Sequence, residues 1–148
     1  MDTSTNRPEL DKTLPSGAEI IRQFLPSSPY VAHLGMQLVA MQEDQATLKL
    51  PFREELITIG NTLHGGALAS LIDTTAMVAA WSGAAAMANP RGTTVGLTVS
   101  YLAAAQGEDV EATARVLRRG RSLIYLDVEV QTSSGVLVAK GLVTYKLG

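Results

Sequence analysis

Apolar side chains recur along this chain with two different periods, and each change of period marks out an element. Ile20, Ile21, Phe24 and Leu25 fall on one stripe of a helix over residues 17–25, with Ser16 placed to cap it and Pro26 and Pro29 placed to stop it. A helix apolar on one side only is expected to lie as a cover over other elements. Two β-prone runs follow, 35–42 and 45–51, joined by Glu43-Asp44 as a tight hairpin, with Ala46, Leu48 and Leu50 sharing one face. Over 52–63 the periodicity is lost.

From Gly65 to about Ser82 the chain predicts one long helix, rich in alanine and leucine, without proline and nearly without charge, ended by Gly83 and Asn89-Pro90. It is apolar almost all round, so something must wrap it. Four strand-like runs supply the wrapping: 93–104, 109–117, 122–132 and 136–147. Val110, Ala112, Ala114 and Val116 alternate with polar neighbours, as do Ile124, Leu126, Val128 and Val130. The links Gln106-Gly107, Arg119-Gly120 and Ser133-Ser134-Gly135 are short and turn-like, which predicts successive strands as antiparallel neighbours. The whole order predicts an α+β architecture, a six-stranded antiparallel sheet curled about one central helix. Residues 1–16 are polar and aperiodic and are expected to form a flexible tail, leaving 17–148 as a single domain.

Composition narrows what this fold can do. With 148 residues the chain is long enough to bury a core unaided, and its lack of cysteine excludes thiol nucleophiles, iron–sulfur clusters and thiolate metal sites. A formal charge of −2 is a poor footprint for nucleic acid, so no nucleic-acid partner is expected. The run 67–88 has the length of a membrane span, but Asp73 lies inside it with Ser70, Thr74, Thr75 and Ser82, and the expectation is a buried helix and no membrane partner. The N-terminus lacks the apolar stretch of a signal peptide, which points to the cytoplasm. P-loop, GxGxxG, GxSxG, HExxH and calcium-loop signatures are all missing, and with two histidines neither a metal nor another cofactor is expected.

The chemistry concentrates in Gly60-Asn61-Thr62-Leu63-His64-Gly65-Gly66, which runs into the helix that carries Asp73. Glycines at a helix start permit close approach to the backbone, and the first N–H groups of a helix can hold an anion or a developing oxyanion. The same tripeptide also serves as a plain loop-to-helix turn. Asp73 has two readings as well, a structural hydrogen-bonding role and a catalytic one, since a carboxylate on an apolar helix must be bonded or put to use.

The run from Asn61 to Asp73 resembles the signature of hotdog-fold acyl-CoA thioesterases of the phenylacetic-acid-degradation (PaaI-like) group, in which an HGG turn precedes a helical acidic residue. The likeness covers about residues 34–146 and includes Thr93-Thr94-Val95-Gly96 and Tyr101-Leu102-Ala103-Ala104-Ala105-Gln106-Gly107. It implies the hydrolysis of an acyl-CoA to a carboxylic acid and free coenzyme A. Asp73 would be the general base or nucleophile, the Gly65 amide the oxyanion donor, His64 an aid in positioning the thioester, and Thr94 the residue that orients water. Thr58 stands where the family often has asparagine or glutamine, with Asn61 nearby in another register and Gly66 completing the turn; glycine occupies position 96, where relatives place aspartate. Arg118, Arg119 and Arg121 form either a solvated turn or, for Arg119 and Arg121, a contact to the phosphates of coenzyme A.

Helix geometry adds a constraint independent of the family. Gly65 and Asp73 are separated by roughly 12 Å of rise, too far for both to reach one carbonyl carbon. Antiparallel helices from two copies would bring them together twice, so a homodimer with a shared site is expected, and the resemblance implies a dimer of dimers. A non-catalytic hotdog protein that binds acyl-CoA, or serves as a structural or regulatory partner, is the competing reading.

Overall fold

The computed structural model describes residues 14–148, so most of the expected tail over 1–16 lies outside the described residues. Helix α1 (Gly17–Ser27) starts with a capping box: Ser16 Oγ accepts from the Glu19 N–H at 3.2 Å, and Glu19 Oε2 accepts from the Ser16 N–H at 3.3 Å. The helix runs past Leu25 and includes Pro26, contrary to the expected stop. Only one backbone bond is forfeited there, in a last turn that frays in any case. Pro29 likewise opens rather than ends a helix, α2 (Pro29–Leu34), because the first helical N–H needs no partner. Gly35, at φ 76°, closes α2 in the left-handed conformation.

Strands β1 (Gln37–Gln42) and β2 (Gln45–Leu50) form the expected hairpin, with Asp44 at φ 64° in its turn. The aperiodic stretch holds a 3-10 turn at Glu54–Leu56 and a small hairpin, β3 (Ile57–Ile59) with β4 (Thr62–Leu63), too short to show a period. Then come α3 (Gly65–Ser82), β5 (Gly92–Tyr101), β6 (Val110–Arg119), β7 (Leu123–Thr132) and β8 (Leu137–Leu147). Six strands make one antiparallel sheet in the order β1-β2-β6-β7-β8-β5.

That order corrects one expectation. β5 and β6 are not neighbours, and Gln106-Gly107 is not a hairpin turn; β5 pairs with β8 at the far edge. Residues 102–109 can extend roughly 26 Å, ample for three strand spacings of about 4.8 Å. The crossing is pinned beneath the start of α3, where the Ala105 carbonyl accepts from the Leu63 N–H at 2.8 Å and the Asn61 carbonyl from the Gly107 N–H at 3.0 Å.

The concave face of the sheet wraps α3. Leu71, Ile72, Ala76, Val78, Ala79 and Ala80 are fully buried against Leu48, Leu50, Val110, Val128 and Val130. Gly141 lets helix and sheet close: a Cβ there would stand 2.6 Å from Ile72 Cγ2. Trp81 is core, its Nε1 donating to the Tyr145 hydroxyl at 2.9 Å. One stripe of α3 escapes the sheet, comprising Gly66, Ala69, Ser70, Asp73 and Met77 at helical spacing. Among the described residues no helix is long and apolar enough to cross a membrane.

Candidate active site

The first turn of α3 is tied down on almost every polar atom. His64 is its N-cap, and His64 Nδ1 accepts from the Gly66 N–H at 2.8 Å. With Nδ1 accepting, a neutral imidazole carries its proton on Nε2, on an exposed side chain. The His64 carbonyl accepts from Ala67 and Leu68 at 2.9 and 3.3 Å. The Tyr101 hydroxyl donates to the Gly65 carbonyl at 2.7 Å. Ser70 Oγ donates to the Gly66 carbonyl at 2.8 Å and lies 2.8 Å from the Tyr30 hydroxyl, which donates to it. The Gly65 N–H, by contrast, meets no acceptor among the described residues. It is a helix-terminal amide open to an incoming oxygen.

Two turns along α3, on its open stripe, Asp73 is half-buried and receives the Thr94 hydroxyl on Oδ1 at 2.6 Å. A short bond to an ionised oxygen compensates part of the desolvation that the apolar helix imposes. The charge is felt nearby: burial pushes the Tyr145 phenol up, the Trp81 hydrogen bond opposes it, and the Asp73 carboxylate pushes it further up. Since the Thr94 proton is spent on Asp73, the threonine oxygen retains lone pairs that can accept from water.

Thr58 and Gly65 line one cleft of about 390 Å³, together with Leu68, Tyr101 and Ala103. Asn61 is exposed at the tip of the β3–β4 hairpin and lies against Gly107 instead. Arg119 is engaged in the fold: it bonds Asp44 Oδ1 through Nε at 3.1 Å and NH2 at 2.6 Å, and the Ala80 carbonyl at 2.9 Å. Its cation therefore sits on the C-terminal end of α3, where the helix dipole favours positive charge. Arg118 and Arg121 are exposed and have no ion-pair partner among the described residues. Among those residues no group of three or more histidine, aspartate or glutamate side chains is gathered to hold a metal.

Sequence reasoning did not single out Tyr30 or Tyr101 as site residues. For Tyr101 the signal was there, an aromatic hydroxyl at the end of the strand that also carries Thr94. Nothing local marks Tyr30, whose contact with Ser70 spans 40 positions.

A long helix wrapped by a six-stranded antiparallel sheet is the layout of the hotdog fold. The thioesterase superfamily model matches residues 60–139. Human acyl-coenzyme A thioesterase 13 is 30% identical over 136 residues, covering 88% of this chain and 93% of its own. Among solved structures, a thioesterase family protein from Silicibacter pomeroyi superposes with a TM-score of 0.82 at 23% identity, covering 89% of this chain and 98% of that one. The E. coli PaaI protein from the phenylacetic acid degradation operon gives a TM-score of 0.76 at 22% identity, covering 88% and 92%, a likeness of fold. The chain belongs to the thioesterase superfamily and is a thioester hydrolase of the hotdog fold.

Proposed function

We propose that this protein hydrolyses acyl-CoA thioesters in a site shared between two copies of the chain. One observation carries the reading: α3 presents an unpaired amide at Gly65 at its start and a threonine-held carboxylate at Asp73 on its open stripe. Acyl transfer needs a donor and an attacking group about 3 Å from one carbonyl, and the roughly 12 Å between these two along one helix rules out a site within one chain. Antiparallel pairing of two α3 stripes satisfies both. The two-fold axis would then cross at Ala69, midway between Gly65 and Asp73, where a small side chain permits close helix packing. The edge strand β5 supports the pairing, since Val95, Leu97 and Tyr101 are 53%, 41% and 53% exposed on a single chain. On the outer face Leu117, Tyr125 and Leu142 form an apolar patch suited to joining two such dimers.

In this site a water donates one hydrogen to Asp73 Oδ2 and the other to Thr94 Oγ1, leaving a lone pair for the carbonyl carbon. Asp73 takes the proton as the C–O bond forms, and the oxyanion is received by the Gly65 N–H of the partner chain. Collapse breaks the C–S bond, the proton held by Asp73 passes to the leaving thiolate, and the products are free coenzyme A and a carboxylic acid, which gives up its remaining proton to solvent. Direct attack by Asp73, through a mixed anhydride that water then cleaves, uses the same atoms. His64 Nε2–H is available to the thioester, Thr58 and Gly66 border its path, Asn61 stands further out, and the exposed Arg121 is free to meet phosphates.

The test is release of free thiol from short, long and aromatic acyl-CoA substrates, with Asp73→Asn as control. Turnover by the parent and near abolition in the variant, with the assembly intact, supports the reading. Tight acyl-CoA binding without thiol release by the parent would establish the binding protein instead.

A further inference from the structure

Two glycines in succession at a helix start are the least restrained residues available, yet an oxyanion donor works only if its direction is set in advance. The Gly65–Gly66 peptide is held at both ends: its carbonyl accepts from the Tyr101 hydroxyl at 2.7 Å, and its N–H is spent on His64 Nδ1 at 2.8 Å. The Tyr101 ring also packs against Gly65, so that a Cβ at that position would meet Cζ, Cε1 and the hydroxyl at 3.2–3.3 Å. Tyr101 stands at the end of β5, the strand whose start carries Thr94. One strand therefore reaches both chemically active points of α3, giving a hydroxyl to the carboxylate at one end and a hydroxyl to the glycine turn at the other.

We propose that Tyr101 is a positioning residue for the oxyanion amide: its hydroxyl fixes the Gly65–Gly66 peptide and through it the direction of the adjacent Gly65 N–H. This rests on reading that N–H as the oxyanion donor. Tyr101 itself touches no reacting atom. The hydroxyl is dispensable for folding, since the Gly65 carbonyl also belongs to the helix and the side chain is 53% exposed.

Tyr101→Phe keeps the ring and removes only the hydroxyl. With acyl-CoA substrate, kcat should fall roughly tenfold, less than the 10²–10³ lost when an oxyanion donor is deleted, while KM, thermal midpoint and oligomeric state stay as in the parent. An active parent with an unchanged Tyr101→Phe variant overturns this inference and leaves the proposed function standing. So does a fall in thermal midpoint or loss of assembly. A parent without thiol release, or an Asp73→Asn variant as active as the parent, overturns the underlying reading and this inference with it.

Discussion

The hydroxyl of Thr94 donates to Asp73 Oδ1 at 2.6 Å, joining the edge strand β5 to the uncovered stripe of α3. The bond settles which carboxylate oxygen is occupied: Oδ1 is taken, and Oδ2 has no partner among the described residues. A single threonine thus does for the carboxylate what capping by His64 does for the amide end.

Thr94→Val keeps the shape of the side chain and deletes the donor. Asp73 then loses its orienting bond and the water its second acceptor, so kcat should fall by roughly one to two orders of magnitude. Thr94→Ser should retain most of the rate, and both variants should melt within a few degrees of the parent. Steady-state thiol release with a melting curve decides it; a fully active Thr94→Val variant would remove Thr94 from the water-holding role.

The proposed sharing of the site between two copies of the chain can be tested by complementation. His64 has an extended backbone at φ −62° and ψ 134°, which suits a residue before proline, and Gly65 is the first helical position, so Gly65→Pro removes the N–H with a backbone that proline accepts, the half-exposed Tyr101 ring having to give way to the added Cβ. That variant and Asp73→Asn should each be nearly inactive alone. Unfolded together and refolded, they should recover about a quarter of parental activity, because random pairing makes half the dimers mixed and each mixed dimer has one intact site. No recovery, with mixed dimers demonstrated by mass, would place both groups in one chain.

Arg119 and Arg121 stand two positions apart and should behave differently. Arg119 ties the C-terminal end of α3 to Asp44 in the β1–β2 turn, partly shielded from solvent. Arg119→Ala should therefore cost about 1–2 kcal/mol of stability, a few degrees in melting midpoint, with KM little changed. Arg121→Ala should leave the midpoint alone and raise KM for acyl-CoA, more so at low salt, if its exposed cation meets phosphates. Melting curves and KM at two ionic strengths separate the two roles.

These contrasts show where the sequence was readable. Period alone marks α3 from Gly65 to Ser82 and the inward faces of β2, β6 and β7, because burial against a helix demands strict alternation from each strand. Non-local pairing leaves no such trace. The route of β5 to β8, the Asp44–Arg119 bond across 75 positions and the Tyr101–Gly65 bond across 36 follow from how the sheet curls, not from any neighbouring residue. The glycine turn and Asp73 stood out because they break the pattern around them. Thr94 was legible only through family resemblance, as one hydroxyl among several on a β-prone run.

Acid should weaken the fold at a defined point remote from α3. Asp109 Oδ1 accepts from the Phe52 N–H at 2.7 Å, and Oδ2 lies 3.2 Å from Lys49 Nζ, fastening the end of β2 to the start of β6. The Phe52 bond chiefly, with Lys49 assisting and slight burial opposing, holds the Asp109 carboxyl below its usual 3.8. A folded pKa below the unfolded one contributes stability that is fully present above about pH 4 and is lost as pH falls through the folded value. The carboxylate is 38% exposed and solvent screens it, so Asp109→Ala should cost only about 1 kcal/mol at neutral pH, or roughly 2–4 °C. Melting curves of parent and variant should run parallel from pH 7 to about pH 5 and converge as the pH falls through the folded value, where both lack the charge. A gap that persists undiminished at low pH would assign the effect to lost packing at Phe52 rather than to the carboxylate.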